Sequence, residues 1–113
     1  MQIIDVTSGV TLAREARRAS NPWTRFRGLM LRRCLDEGEG LDIRGDSSIH
    51  MMFMRFPIDA VFYAEDGRVT RVRRRLRPWT GIAFGGRGTK GVVELPAGCA
   101  AGVETGHELK FVA

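Results

Sequence analysis

Glycines and tight-turn sequences divide this chain into short apolar stretches, and this division restricts the fold more than any other feature. The 113 residues include 14 glycines, most of which stand singly between apolar stretches. Isolated glycines of this kind are typical of turns, β-bulges and helix ends. The pattern predicts a compact, mainly β fold, an antiparallel barrel or sandwich of about seven to nine short strands with one or two short helices.

Length and composition predict one globular domain spanning residues 1–113. Hydrophobic residues make up 43% of the chain and charged residues 27%. A domain of this size buries roughly two-thirds of the surface that its unfolded chain exposes. No apolar run approaches the ~18 residues of a membrane-spanning helix, and no signal-peptide pattern follows Met1. We therefore expect no membrane span and a cytoplasmic location.

Some segments have clear secondary-structure signals. Ile58–Tyr63 is apolar in both strand phases, which predicts a strand covered on both faces. The Asp66-Gly67 turn leads into Val69–Arg77, the second arm of a predicted hairpin. Helical spacing of apolar residues after Asn21 predicts a short helix over Pro22–Leu31. The other predicted strands are Gln2–Val6, Thr11–Ala16, Leu41–Arg44, Lys90–Leu95 and Glu108–Val112, with one or two helical turns at Ala97–Val103.

No motif indicates a cofactor, and none is predicted. The segment Gly86–Gly91 fits G-x-G-x-x-G, but a predicted strand follows it where a dinucleotide site needs a helix N-terminus. Cys34 and Cys99 have no C-x-x-C spacing, so we expect two reduced thiols.

The net charge of +5 has its main local source between Arg68 and Arg77. Strand alternation places Arg71, Arg73, Arg75 and Arg77 on one side. A basic face attracts phosphates, so nucleic-acid association is a weaker alternative function. A solvated face is favoured, because the segment has no interleaved aromatic residues for stacking bases.

The segment from Ile49 to Asp59 contains a concentration of methionines beside a histidine. His50, Met52 and Met54 offer imidazole and thioether groups, a ligand set suited to Cu(I). Methionines more often fill irregular gaps in a core. No metal site is therefore predicted, and copper binding is kept as the minor alternative.

Charged residues within apolar sequence mark a candidate polar pocket or buried network. Arg55 and Asp59 lie among large apolar residues, and Glu94 lies inside an apolar strand. A buried charge needs a partner. Arg55 and Asp59 are candidate partners for each other, and Arg25 and Glu94 are the other candidates. The candidate set is Arg25, His50, Arg55, Asp59 and Glu94. A structural network is favoured over a ligand site, since structural ion pairs also occur in such clusters.

Motifs along nearly the whole chain resemble one family. They are Arg25-x-x-Gly28-Leu29-Met30, Ile49-His50, Met54–Phe62, Asp66–Val69, Leu76–Trp79 and Val93–Gly98, in that order. This set resembles the bacterial and archaeal family called domain of unknown function 192. The resemblance implies a compact, mainly β domain with a little helix and implies no established activity. The family more commonly has a hydrophobic residue at the position of Asp42, Thr at the position of Met51, and Asp at the position of His107.

The sequence alone leaves the function unknown and favours one class over two others. The favoured class is a non-catalytic accessory module that binds an unknown small molecule or a protein partner. The first alternative is an enzyme whose site uses Arg25, His50, Asp59 and Glu94. The second and weaker alternative is the nucleic-acid association described above. Such an enzyme would need an open cleft in which His50 and a carboxylate face the same space.

Overall fold

A computed structural model of the chain describes residues 1–19, 21, 28–30, 32 and 34–113. Their regular structure consists of ten strands, which confirms the mainly β prediction. The strands are β1 (Gln2–Asp5), β2 (Val10–Ala13), β3 (Glu15–Ala19), β4 (Glu39–Arg44), β5 (Ser48–His50), β6 (Ile58–Ala64), β7 (Val69–Leu76), β8 (Ile82–Phe84), β9 (Thr89–Pro96) and β10 (Leu109–Val112). No helix among the described residues is long and apolar enough to cross a membrane.

The strands form three sheets. A three-stranded sheet has the order β10-β1-β2, a five-stranded sheet the order β3-β4-β9-β6-β7, and β5 pairs with β8. None of these sheets closes on itself. The described strands therefore do not form a barrel, which was one of the two arrangements predicted from the sequence. Pairing is antiparallel except between β3 and β4, which are parallel. Two parallel strands that lie side by side must be joined by a crossover connection. Local hairpin signals in the sequence do not predict such a connection.

Strand β6 is the centre of the core. Ile58 to Tyr63 are all buried, as the apolar pattern in both phases predicts. Val61 and Tyr63 join a cluster with Ile3 and other residues of the three-stranded sheet. Ala60 and Phe62, on the opposite face, join a second cluster that includes Ile49 and Met54. Each face of the five-stranded sheet therefore has its own apolar layer.

The segment 97–103, predicted as one or two helical turns, forms consecutive β-turns. The amide N–H groups of Cys99, Ala101 and Val103 donate to carbonyl oxygens three residues earlier, at 3.0, 3.3 and 3.1 Å. Gly98 has a φ of 96°, a left-handed conformation that interrupts a helix. The other predicted helix, Pro22–Leu31, falls largely outside the described residues.

A β-bulge interrupts β7. Ile58 pairs with Leu76 and Ala60 with Arg73, so β7 has one residue more than β6 between these pairs. Arg75, within the bulge, has a φ of 52°. Arg73, Arg74 and Arg75 are all exposed, and the predicted alternation of arginines holds only before the bulge.

Two three-residue strands, β5 and β8, were not among the predicted strands, and β8 lies in the Gly-rich stretch 81–91, whose composition indicates a loop. Ile49 and Ala83 are buried, whereas Ser48, His50, Ile82 and Phe84 lie on the other face. Strands of three residues are too short to show a period in the sequence.

Candidate functional site

A pocket of about 190 Å³ lies beside the two-stranded sheet. Leu29, Ile43, Ile49, Met54 and Ile82 form most of its apolar wall, and Asp46, Ser48, His50 and Glu94 contribute polar groups. Of the residues predicted from sequence, His50 and Glu94 are therefore brought to one space. Arg25 lies outside the described residues.

Glu94 is the most unusual group in this pocket. It occupies the middle of β9, paired in register with Leu41 of β4 and Ala60 of β6. Its side chain is only 3% exposed, and none of the described residues forms a hydrogen bond or ion pair with its carboxyl group. Burial raises the pKa of Glu94 to about 8, because desolvation disfavours the charged form. At neutral pH the group is mainly a neutral acid.

Gly28 allows the chain to pass close to this acid. A Cβ atom at Gly28 would lie 3.2 Å from Oε1 of Glu94, and the residue has a φ of 49°. A larger residue would meet both the crowded carboxyl group and an unfavourable backbone conformation. The Gly28 of the sequence motif therefore has a packing reason.

His50 reaches the pocket because of strand alternation. Ile49 faces the core, and its neighbours Ser48 and His50 are half-buried and line the pocket. His50 is paired in register with Ile82 of β8, which lines the same pocket. Asp46 and Ser48 were missed in the sequence, where Gly45-Asp46-Ser47 indicates only a turn.

Asp59 has a different environment from the one predicted. It is fully buried but does not line the pocket. One oxygen accepts the N–H of Arg75 at 2.9 Å, and the other accepts those of Gly98 and Ala100 at 3.0 and 2.9 Å. The expected arginine or carboxyl partner is replaced by three backbone amides, which join the β7 bulge to the turns at 97–103.

The burial expected for Arg55 is wrong. Its side chain is exposed and needs no buried partner. The chain between Met51 and Pro57 is a loop, with Phe53 at a φ of 62°. Residues of a loop do not alternate between core and solvent, so their apolar neighbours in sequence do not indicate burial.

The structure separates the residues of the copper hypothesis. His50 and Met54 line the pocket, and Met54 also belongs to the apolar core. Met52 is 49% exposed and is not a lining residue. Among the described residues, no three His, Cys, Asp or Glu side chains are grouped to hold a metal ion.

Two arginines of the basic run bind backbone carbonyls. Arg71 donates to Phe84 at 3.0 Å. Arg74 donates to Ala100 at 3.2 Å and also to Val103. Arg73 and Arg77 are exposed side chains of this run. The run is thus partly structural and partly a solvated basic surface.

A second group of buried polar contacts, centred on the carboxylate of Asp42, lies outside the pocket and was not predicted from the sequence. Asp42 is fully buried, accepts a hydrogen bond from the hydroxyl of Tyr63, and is bound by Nε of Arg18 at 3.0 Å. Burial and the bond to Asp42 raise the pKa of Tyr63. The charged residue inside the predicted strand was the available signal, and its partners, Arg18 on the neighbouring β3 and Tyr63 on β6, are distant in sequence.

Comparison with known proteins finds similar chains in other organisms. The match to DUF192, described as uncharacterized ACR, covers residues 4–111. A UPF0127 protein of Pyrococcus furiosus is 34% identical over 114 residues, which are 96% of this chain and 97% of that protein.

Two solved structures share the fold. A protein of unknown function from Novosphingobium aromaticivorans has a TM-score of 0.79 and 22% identity, over 98% of this chain and 93% of that one. A Sinorhizobium meliloti protein provisionally described as a transcription regulator has a TM-score of 0.80 and 28% identity, over 96% and 89%. The resemblance seen in the sequence motifs is confirmed, and the chain belongs to the DUF192 family, whose function is uncharacterised.

Proposed function

We propose that this protein is a non-catalytic module that binds a small ligand in the pocket lined by His50 and Glu94. The observation that supports this most directly is the Glu94 carboxyl group, 3% exposed and without a bonding partner among the described residues. A buried carboxyl group interacts more strongly with a donor or a positive charge than an exposed one does, because water screens it less. A ligand that presents such a group to Glu94 gains free energy on binding.

The size and lining of the pocket suit a small ligand. Its volume of about 190 Å³ exceeds the roughly 150 Å³ of an apolar cavity that holds benzene. A mainly apolar wall with a few polar groups is typical of ligand sites. The ligand is therefore a molecule near the size of one substituted ring.

The test is a titration with small ring-containing fragments, followed by methyl NMR at pH 7. Binding should shift the methyl signals of Ile43, Ile49 and Ile82, which line the pocket. Methyl signals of Ile3, in the opposite core layer, provide the internal control. Fragments that shift no pocket methyl, or shift both sets equally, contradict the proposal.

An enzyme is the second candidate, because His50, Glu94 and Ser48 line the same pocket. The shared pocket supports this candidate, since such an enzyme needs a histidine and a carboxyl group facing one space, and Asp59 does not line the pocket. The test is hydrolysis of a small ester such as p-nitrophenyl acetate. A rate above buffer that is lost in His50→Ala supports the enzyme, and a rate unchanged in this variant rejects it.

Nucleic-acid association is a weaker candidate function. Its support is the exposed Arg73 and Arg77, the net charge of +5 and the provisional description of the Sinorhizobium relative. Fluorescence anisotropy with a duplex DNA should show binding that falls steeply with added salt. Lack of binding at low salt would remove this candidate. We also propose that the protein is a single domain located in the cytoplasm.

A further inference from the structure

The described lining of the pocket contains two carboxyl groups and, apart from the imidazole of His50, no basic side chain. Glu94 lies deep in it and Asp46 is half-buried. The described lining residues include neither lysine nor arginine. The carboxyl groups of Glu94 and Asp46 favour a cationic ligand over an anionic one.

An ammonium group matches the polar atoms available. It carries a positive charge and three N–H donors, and the pocket offers the Glu94 carboxylate together with the Ser48 hydroxyl oxygen as acceptors. A buried carboxylate without a counter-charge is costly, and an ion pair with further hydrogen bonds offsets that cost.

The apolar wall indicates the rest of the ligand. Leu29, Ile43 and Met54 contribute apolar surface inside the pocket. Ile82 extends this surface outwards, where its side chain is 61% exposed. An inorganic cation would leave this surface uncovered, whereas an organic cation buries it.

We propose that the ligand is a small primary amine with an apolar body, and that its ammonium group binds the carboxylate of Glu94. This inference rests on the proposed function, because it names the ligand class of the same pocket. When the amine binds at neutral pH, the proton of the Glu94 acid passes to solvent and the resulting carboxylate pairs with the ammonium.

The pH dependence follows from the groups that face Glu94. Its register neighbours on β4 and β6 are Leu41 and Ala60, which carry no charge. Asp46 and His50 are the other titratable groups among the described lining residues. Since burial raises the pKa of Glu94 to about 8, amine affinity should rise with pH up to that value, by as much as about tenfold per unit for one displaced proton.

The experiment compares benzylamine with benzyl alcohol, which has nearly the same shape and no charge. Calorimetric titrations at pH 6, 7 and 8 use buffers of different ionisation enthalpy, so that proton release is counted directly. Benzylamine should bind at least about tenfold more tightly at pH 8 than at pH 6 and release close to one proton at pH 7. Benzyl alcohol should show no such rise.

Variants separate Glu94 from general charge effects. Glu94→Gln should abolish both proton release and the pH dependence, whereas Glu108→Gln, at an exposed position outside the pocket, should leave them unchanged. The wild-type pH series tests the inference even if Glu94→Gln does not fold.

The outcomes distinguish the two proposals. If benzyl alcohol binds as tightly as benzylamine, with no proton released, the amine assignment is wrong and the small-ligand function stands. If neither probe binds and the fragment titration shifts no pocket methyl, both are wrong.

Discussion

At the scale of the residue, Glu94 shows what sequence can and cannot indicate. A glutamate inside an apolar strand stands out in the sequence, and so does His50 in its own segment. The sequence does not show that three distant segments enclose a space beside Glu94, because that depends on tertiary packing. Asp59 looked equivalent in sequence, yet its carboxylate is satisfied by backbone amides.

The raised pKa of Glu94 predicts an unusual effect of pH on stability. Between the ordinary value of 4.5 and about 8, the folded state holds a proton that the unfolded state releases. Stability should therefore fall as pH rises through this window, by up to about 1.4 kcal/mol per unit. Urea unfolding at pH 5, 6, 7 and 8 measures this slope.

Glu94→Gln should flatten the slope, since the amide does not ionise. The exposed Glu108→Gln should keep it. An equal slope in wild type and Glu94→Gln would contradict the assignment of this pH dependence to Glu94.

At the scale of the element, one carboxylate explains two departures from the predicted strands and helices. Asp59 holds the β7 bulge through Arg75 and the turns at 97–103 through Gly98 and Ala100. Local patterns predicted a regular strand and a helical turn at these positions. The buried acceptor, the carboxylate of Asp59, lies on β6. The local sequence at the bulge and at the turns therefore gives no sign of it.

Asp59→Asn should destabilise the protein by roughly 2–4 kcal/mol, because an amide side chain has one acceptor oxygen where three N–H groups converge. Urea unfolding measures the loss. Amide hydrogen exchange should also accelerate at Arg75, Gly98 and Ala100, relative to the core of β9. The matched control is Asp66→Asn, whose exposed carboxylate accepts one N–H within its own turn; similar losses in both variants would refute the anchoring role.

At the scale of the whole molecule, long-range pairing brings the two ends of the chain together. β1 lies between β2 and β10, and the fully buried Asp5 bonds to Nδ1 of His107 at 2.7 Å. The hairpin β1–β2 was predictable from its local turn, whereas β1–β10 pairing joins sequence ends and has no local signal. Asp42 and His107 both take part in buried carboxylate contacts between segments that are distant in sequence.

Asp5 should limit stability on the acid side. Burial alone would raise the pKa of Asp5, but hydrogen bonds from His107 and Ser8 lower it below 3.8. A lowered pKa stabilises the folded state above pH 3.8, and this contribution is lost as pH falls through the folded value. Asp5→Asn should therefore cost about 1–3 kcal/mol at pH 6 and much less at pH 2.

Thermal unfolding at both pH values measures the difference between wild type and Asp5→Asn. Asp66→Asn again serves as the exposed control. A cost that is the same at pH 2 and pH 6 would show that the loss comes from packing and not from ionisation.

The parallel pairing of β3 with β4 has a consequence for how ligand preference can diverge. The chain must cross over between Ala19 and Glu39 to make this pair, and Gly28, Leu29 and Met30 of that crossover line the pocket. The strands that carry Glu94 and His50 do not include the crossover. Under the proposed function, exchange of this one continuous segment would change the ligand preference, and grafting it between two family members should transfer the preference while the sheets stay intact.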